Sequence, residues 1–127
     1  MPAAPAPSVL FVEDDPLVRQ FVIETLVGEG YRAEPAASAD EARRLLDRTR
    51  YDVLMTDILL ARGHGGQDGF ALAAWAARRR PGLRIIYTSG LSDDPAERMV
   101  APGGFLEKPF GITGLLRSLA AATVGAC

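Results

Sequence analysis

The sequence predicts a single doubly wound α/β domain, a five-stranded and mostly parallel sheet covered by helices on both faces. Short apolar runs at 9–12, 53–56 and 85–87 each end abruptly in polar residues, the pattern of strands buried on both sides. Stretches of helical periodicity alternate with these runs, which calls for right-handed crossovers between parallel strands. The 127 residues, 48% hydrophobic and 24% charged, amount to one domain's worth of ordinary globular chain.

The elements follow in order. Residues 1–7 are expected to be a flexible Pro/Ala leader, and 8–127 the domain. The first strand, 9–12, runs into Glu13-Asp14-Asp15; Pro16 then suits a first helical turn with Asp15 as N-cap. Leu17, Val18, Phe21, Val22 and Leu26 recur at helical spacing, and Gly28 and Gly30 close that helix. Residues 32–36 form the second strand. Ser38, with Glu41 three residues later, opens a helix whose apolar face is Ala42, Leu45 and Leu46. The third strand, 53–56, again terminates in an acid, Asp57. A glycine-rich loop at 58–68 leads to a helix from about Gly69 to Arg80, stopped by Pro81-Gly82. The fourth strand, 85–87, ends in Thr88-Ser89-Gly90. A short helix is expected at 95–100, terminated by Pro102-Gly103-Gly104, then a short strand and turn at 105–109 and a closing helix at 112–122.

Composition excludes several classes. Fourteen basic against 16 acidic residues, a net charge of −2, argue against a grip on nucleic acid that neutralises several phosphates. The one cysteine, Cys127, permits neither an internal disulfide nor a cysteine metal cluster, and a reducing cytoplasmic setting is expected. No apolar run is long enough to span a membrane, and the first residues lack the basic start and apolar centre of a signal peptide.

In a sheet of this kind ligands sit outside the carboxyl ends of the strands. Glu13, Asp14, Asp57, Thr88, Ser89 and Lys108 all fall there. Crowded carboxylates repel unless a cation neutralises them, and an oxygen-only, partly hydrated set favours Mg²⁺. A carboxylate can also be a nucleophile that forms an aspartyl phosphate. Asp57 as nucleophile, Mg²⁺ on Glu13 and Asp14, Lys108 as counter-charge and Thr88 as hydroxyl donor make a complete set for phosphoryl transfer. Lys108 is the only lysine in the chain.

Val12-Glu13-Asp14-Asp15-Pro16, Asp52-Val53-Leu54-Met55-Thr56-Asp57, Tyr87-Thr88-Ser89-Gly90 and Glu107-Lys108-Pro109-Phe110, in that order, resemble the receiver domain of two-component response regulators. The resemblance covers the chain beyond its leader. It implies a flavodoxin-like fold with strand order 2-1-3-4-5, and Asp57 as acceptor of a phosphoryl group from a histidine of a sensor kinase or phosphotransfer protein. It further implies that Asp14 and Asp57 bind Mg²⁺ with the Leu59 backbone carbonyl, that Glu13 acts mostly through water, and that Lys108 binds a phosphoryl oxygen. The Lys108-Pro109 bond matches the family's cis peptide. Thr88 and Phe105 are implied as switch residues that remodel the surface of the fourth predicted helix, the last strand and the last helix, where a downstream protein partner binds.

The sequence departs from the family pattern at 58–68, which is longer and richer in glycine, and at Phe105, which replaces a common tyrosine and loses its hydroxyl. Leu59 and Gly90 offer no side chain to orient an attacking water, so slow loss of phosphate is expected. His64 reads as an exposed loop residue, Arg78-Arg79-Arg80 as positive charge complementing a helix terminus, Trp75 as helix packing and Cys127 as inert. The rival readings are a Mg²⁺-dependent phosphohydrolase, a phosphorylation-independent interaction module and a flavin protein. The first lacks a further acid or base near Asp57, the second ignores the intact acidic set, and Glu13-Asp14-Asp15 would repel a flavin phosphate. The expectation is therefore a stand-alone cytoplasmic signalling switch, not a metabolic enzyme, monomeric or dimerising on phosphorylation, with no nucleic-acid or membrane partner.

Overall fold

A computed structural model of the chain describes residues 6–58, 68–89, 103–107 and 110–124. Five strands, β1 (Ser8–Val12), β2 (Arg32–Ala36), β3 (Val53–Asp57), β4 (Arg84–Ser89) and β5 (Gly103–Glu107), form one parallel sheet in the order β2-β1-β3-β4-β5. Four helices lie among the described residues: α1 (Pro16–Gly28), α2 (Ala39–Arg48), α3 (Asp68–Arg79) and α4 (Ile112–Val124). The short helix expected at 95–100 lies outside the described residues. Gly103 and Gly104, expected to terminate it, instead open β5, in register with Ile85 and Ile86. None of the described helices is long and apolar enough to cross a membrane.

Side chains alternate across a strand, so each apolar run supplies both faces of the sheet. Leu10, Val12, Leu54, Ile85 and Tyr87 pack with Leu46 of α2 and Leu72 of α3. Val9, Phe11, Val53, Met55 and Ile86 pack on the other face with Val22 and Leu26 of α1 and Leu115 and Leu119 of α4. This two-sided burial is why the strands read as continuous apolar runs instead of alternating ones. Pro35 is accommodated because β2 is an edge strand.

Of the apolar residues at helical spacing in α1, Leu17 and Phe21 are 78% and 48% exposed. Val18, Val22 and Leu26, four residues apart, form the ridge that meets the sheet, and Leu17 and Phe21 sit on the ridge beside it. The capping expectations hold with one shift. Asp15 Oδ1 accepts from the amides of Leu17 at 2.9 Å and Val18 at 3.4 Å. Ser38 Oγ accepts from the Glu41 amide at 3.1 Å, but Glu41 Oε1 accepts from Ala37 N at 2.7 Å, one residue before the expected partner.

Candidate functional site

Parallel pairing puts every strand's carboxyl end on one edge, and there the predicted acids meet. Val12 is in register with Thr56, so Glu13 and Asp57 are the next residues out on adjacent strands. Glu13 is fully buried, Asp57 is 6% exposed and Asp14 is half-buried. One carboxylate oxygen from each lies within 4.8 Å of the other two. At an effective dielectric near 20, two ionised carboxylates at that spacing repel by roughly 3 kcal/mol. Three oxygen donors on one partly open edge are the donor chemistry of a hard divalent cation such as Mg²⁺ and unlike a zinc site.

The turn that presents Glu13 and Asp14 is held from several directions. The Glu13 amide donates to Ala36 O at 3.0 Å, extending the β1–β2 pairing beyond the strand. Arg19 Nη1, one turn into α1, donates to Glu13 O at 2.9 Å. Glu13 Oε2 accepts from the Asp15 amide at 3.1 Å, while Asp15's own carboxylate caps α1. Asp15 is thus an N-cap, and Glu13 and Asp14 supply the acids of the site.

Asp57 is fixed through its backbone. It is in register with Thr88, and Ile58 N donates to Thr88 O at 2.9 Å. Thr56 Oγ1 donates to Asp57 O at 3.0 Å. Gly69 N, at the start of α3, donates to Ile58 O at 3.1 Å, and a Cβ at residue 69 would collide with Asp57 O and lie 2.7 Å from Ile58 Cα. Only glycine lets α3 begin this close to the strand that carries Asp57. The Thr88 side chain is fully buried, and Oγ1 has no hydrogen-bond partner among the described residues. Such a hydroxyl is unsatisfied until a ligand or water reaches it.

The structure therefore brings Glu13, Asp14, Asp57 and Thr88 together. Leu59, Lys108 and Pro109 lie outside the described residues, as does His64. Phe105 lies in β5 in register with Tyr87. Sequence reasoning missed Gly69, Arg19 and Thr56 as supports. The Asp68-Gly69 pair was a visible helix start, but the steric demand on Gly69 comes from a distant segment. Away from the site, burial and a 2.9 Å hydrogen bond to Glu34 push the Tyr51 hydroxyl up to about 12. Trp75 packs on the core as expected and is flanked by Arg43 at 5.9 Å and Arg79 at 5.0 Å.

Known proteins resemble this chain over most of its length. Residues 9–120 match the family model described as the response regulator receiver domain. The chain is 30% identical over 113 residues to the sensor kinase CckA of Brucella abortus, covering 85% of this chain and 12% of that protein. It is 34% identical over 88 residues to the transcriptional regulatory protein AfsQ1 of Streptomyces coelicolor, covering 69% of this chain and 37% of that protein. The chain thus spans well under half the length of these relatives. Among solved structures, the chemotaxis response regulator CheY4 of Vibrio cholerae aligns with a TM-score of 0.78 at 28% identity, covering 92% of this chain and 98% of that one. A response regulator receiver protein from Sinorhizobium medicae aligns with a TM-score of 0.85 at 23% identity, covering 96% and 98%.

Proposed function

The chain belongs to the response regulator receiver domain family and has its flavodoxin-like α/β fold, and on that premise we propose that it is a phospho-accepting switch whose acceptor is Asp57. The observation that carries the proposal is the meeting of Glu13, Asp14 and Asp57 oxygens within 4.8 Å at the carboxyl edge. An Asp57 carboxylate oxygen forms a bond to the phosphorus of a phosphohistidine. The phosphorus–nitrogen bond breaks, and the imidazole leaves with the electron pair and takes up a proton. Glu13 and Asp14 would hold Mg²⁺ with Asp57 and the Leu59 carbonyl. Bound there, the cation supplies charge neutralisation for the phosphoryl oxygens.

The chain's own residues do the rest. Gly69, Thr56 and the Ile58–Thr88 hydrogen bond hold the backbone around Asp57 at the end of β3. The buried Thr88 hydroxyl donates to a phosphoryl oxygen, which gives its oxygen a partner. Lys108, which follows β5 in the chain, supplies the counter-charge. Thr88 and Phe105 lie on adjacent strands, so a shift of one on phosphorylation alters the surface of β5 and α4 that a downstream partner reads. The donor is a sensor histidine kinase or a phosphotransfer protein, the compartment is the cytoplasm, and hydrolysis is slow because Leu59 and Gly90 present no polar side chain. Residues 8–127 constitute the receiver unit.

Incubation with Mg²⁺ and acetyl phosphate, read by intact mass, tests this. A single phosphoryl adduct is expected in the wild type and none in Asp57→Asn or without Mg²⁺. A folded wild type that binds Mg²⁺ yet forms no adduct overturns the proposal.

A further inference from the structure

Arg19 is half-buried on α1, and its guanidinium bonds where charge alone would not send it. The exposed carboxylate of Glu24 lines the same groove as Arg19, yet Arg19 forms no ion pair among the described residues. Instead Nη1 donates to the Glu13 carbonyl oxygen at 2.9 Å, reaching from the helix back to the turn that carries the acids.

Glu13 is thereby gripped at three points. Its amide donates to Ala36 O at 3.0 Å, its carbonyl accepts from Arg19, and its Oε2 accepts from the Asp15 amide at 3.1 Å. The carbonyl belongs to the planar peptide that joins Glu13 to Asp14, so holding it holds the plane from which Asp14 departs. Ionised carboxylates whose oxygens lie within 4.8 Å push one another apart. A turn free to rotate relieves that push by splaying the acids, and the bond from Arg19 resists the rotation.

We infer that Arg19 is a positioning residue for the divalent cation, holding the acidic turn stiff enough to prefer Mg²⁺ over Ca²⁺. The inference rests on the reading of Glu13, Asp14 and Asp57 as a cation site. Mg²⁺ demands near-ideal octahedral donors at short distances, whereas Ca²⁺ accepts more ligands in flexible arrangements. Stiffness of the donor set therefore governs the preference, and groups that orient ligands from behind set affinity as well. The charge of Arg19 acts in the opposite direction. A guanidinium beside a cation site repels the cation, so by charge alone its removal tightens the binding of both ions.

Titration of the whole chain with Mg²⁺ and, separately, with Ca²⁺, followed by the amide NMR signals of Glu13 and Asp14, tests the inference. Arg19→Met and Arg19→Ala both remove the guanidinium, and either one, shown to be folded by circular dichroism, decides the result. Their Mg²⁺ affinity is expected to fall about tenfold and their Ca²⁺ affinity by no more than about threefold. Arg19→Lys keeps a donor and the charge and should stay within about threefold of the wild type for both ions. Unchanged or tighter Mg²⁺ binding without the guanidinium, equal weakening for both ions, or Arg19→Lys as weak as Arg19→Met overturns the inference. Asp57→Asn separates it from the reading beneath it. No saturable Mg²⁺ binding in the wild type, or binding that Asp57→Asn leaves unweakened, overturns the cation site and this inference together; binding that depends on Asp57 but not on Arg19 overturns this inference alone.

Discussion

Gly69 sits where a side chain is intolerable, against the backbone of the residue proposed to react. Gly69→Ala places a methyl group on Asp57 O and Ile58 Cα, and either α3 or the end of β3 must move. Overpacking of this kind costs about 1–3 kcal/mol. The expected outcome is a lower melting temperature together with loss of the Mg²⁺-dependent phosphoryl adduct at temperatures where the variant is still folded. Retention of the wild-type adduct rate would show that α3 yields without disturbing Asp57. Tyr51 gives a pH-dependent case. Its hydroxyl is pushed up to about 12 in the folded chain by burial and by Glu34, above an ordinary value of 10. The folded state therefore prefers neutral tyrosine. The corresponding stability is fully present below about pH 10 and is lost as pH rises through 12. Chemical denaturation from pH 9 to 12 should show this decline in the wild type and a flatter profile in Tyr51→Phe, which at neutral pH gives up about 1 kcal/mol for the missing hydrogen bond.

At the scale of elements, Asp15 separates capping from metal binding. Its carboxylate serves the first turn of α1, whereas its backbone amide serves Glu13. Asp15→Ala should cost about 1 kcal/mol of stability while leaving Mg²⁺ affinity within a factor of two. A large loss of Mg²⁺ affinity would place Asp15 in the acidic set instead. The same elements show what a sequence exposes. Runs such as Val9-Leu10-Phe11-Val12 declare a strand buried on both faces, and with parallel strands the acids that follow must share an edge, so Glu13, Asp14 and Asp57 were readable without coordinates. Leu17 and Phe21 share the helical spacing of Val18, Val22 and Leu26, but which of two adjacent apolar ridges meets the sheet depends on the crossover angle, which spacing alone does not give. Gly103 and Gly104 have the local character of a helix stop, yet pairing with Ile85 and Ile86 makes them strand. Gly69 was unreadable as a support because its constraint arises only when α3 folds back onto β3.

For the molecule as a whole, the carboxyl edge is where acids gather. Three carboxylates with oxygens within 4.8 Å repel one another when ionised together, and a bound cation relieves that repulsion. Asp57→Asn should gain less stability from Mg²⁺ than the wild type. In the wild type, Mg²⁺ at one hundred times its dissociation constant should add about 2.7 kcal/mol. Thermal melts with and without the cation check both statements, and identical Mg²⁺ responses in the two proteins would remove Asp57 from the metal site. Among the described residues, the opposite edge gathers Arg32, Arg50, Arg79, Arg80 and Arg84 around one carboxylate, Asp52, so described charges of opposite sign collect at the two ends of the sheet although the net charge is only −2. These described charges make a dipole along the strands. On a negatively charged surface the chain should stand arginines down with its acids facing outward, and on a positive surface it should stand inverted. At low salt it should be retained by cation- and anion-exchange resins alike, a behaviour its isoelectric point conceals.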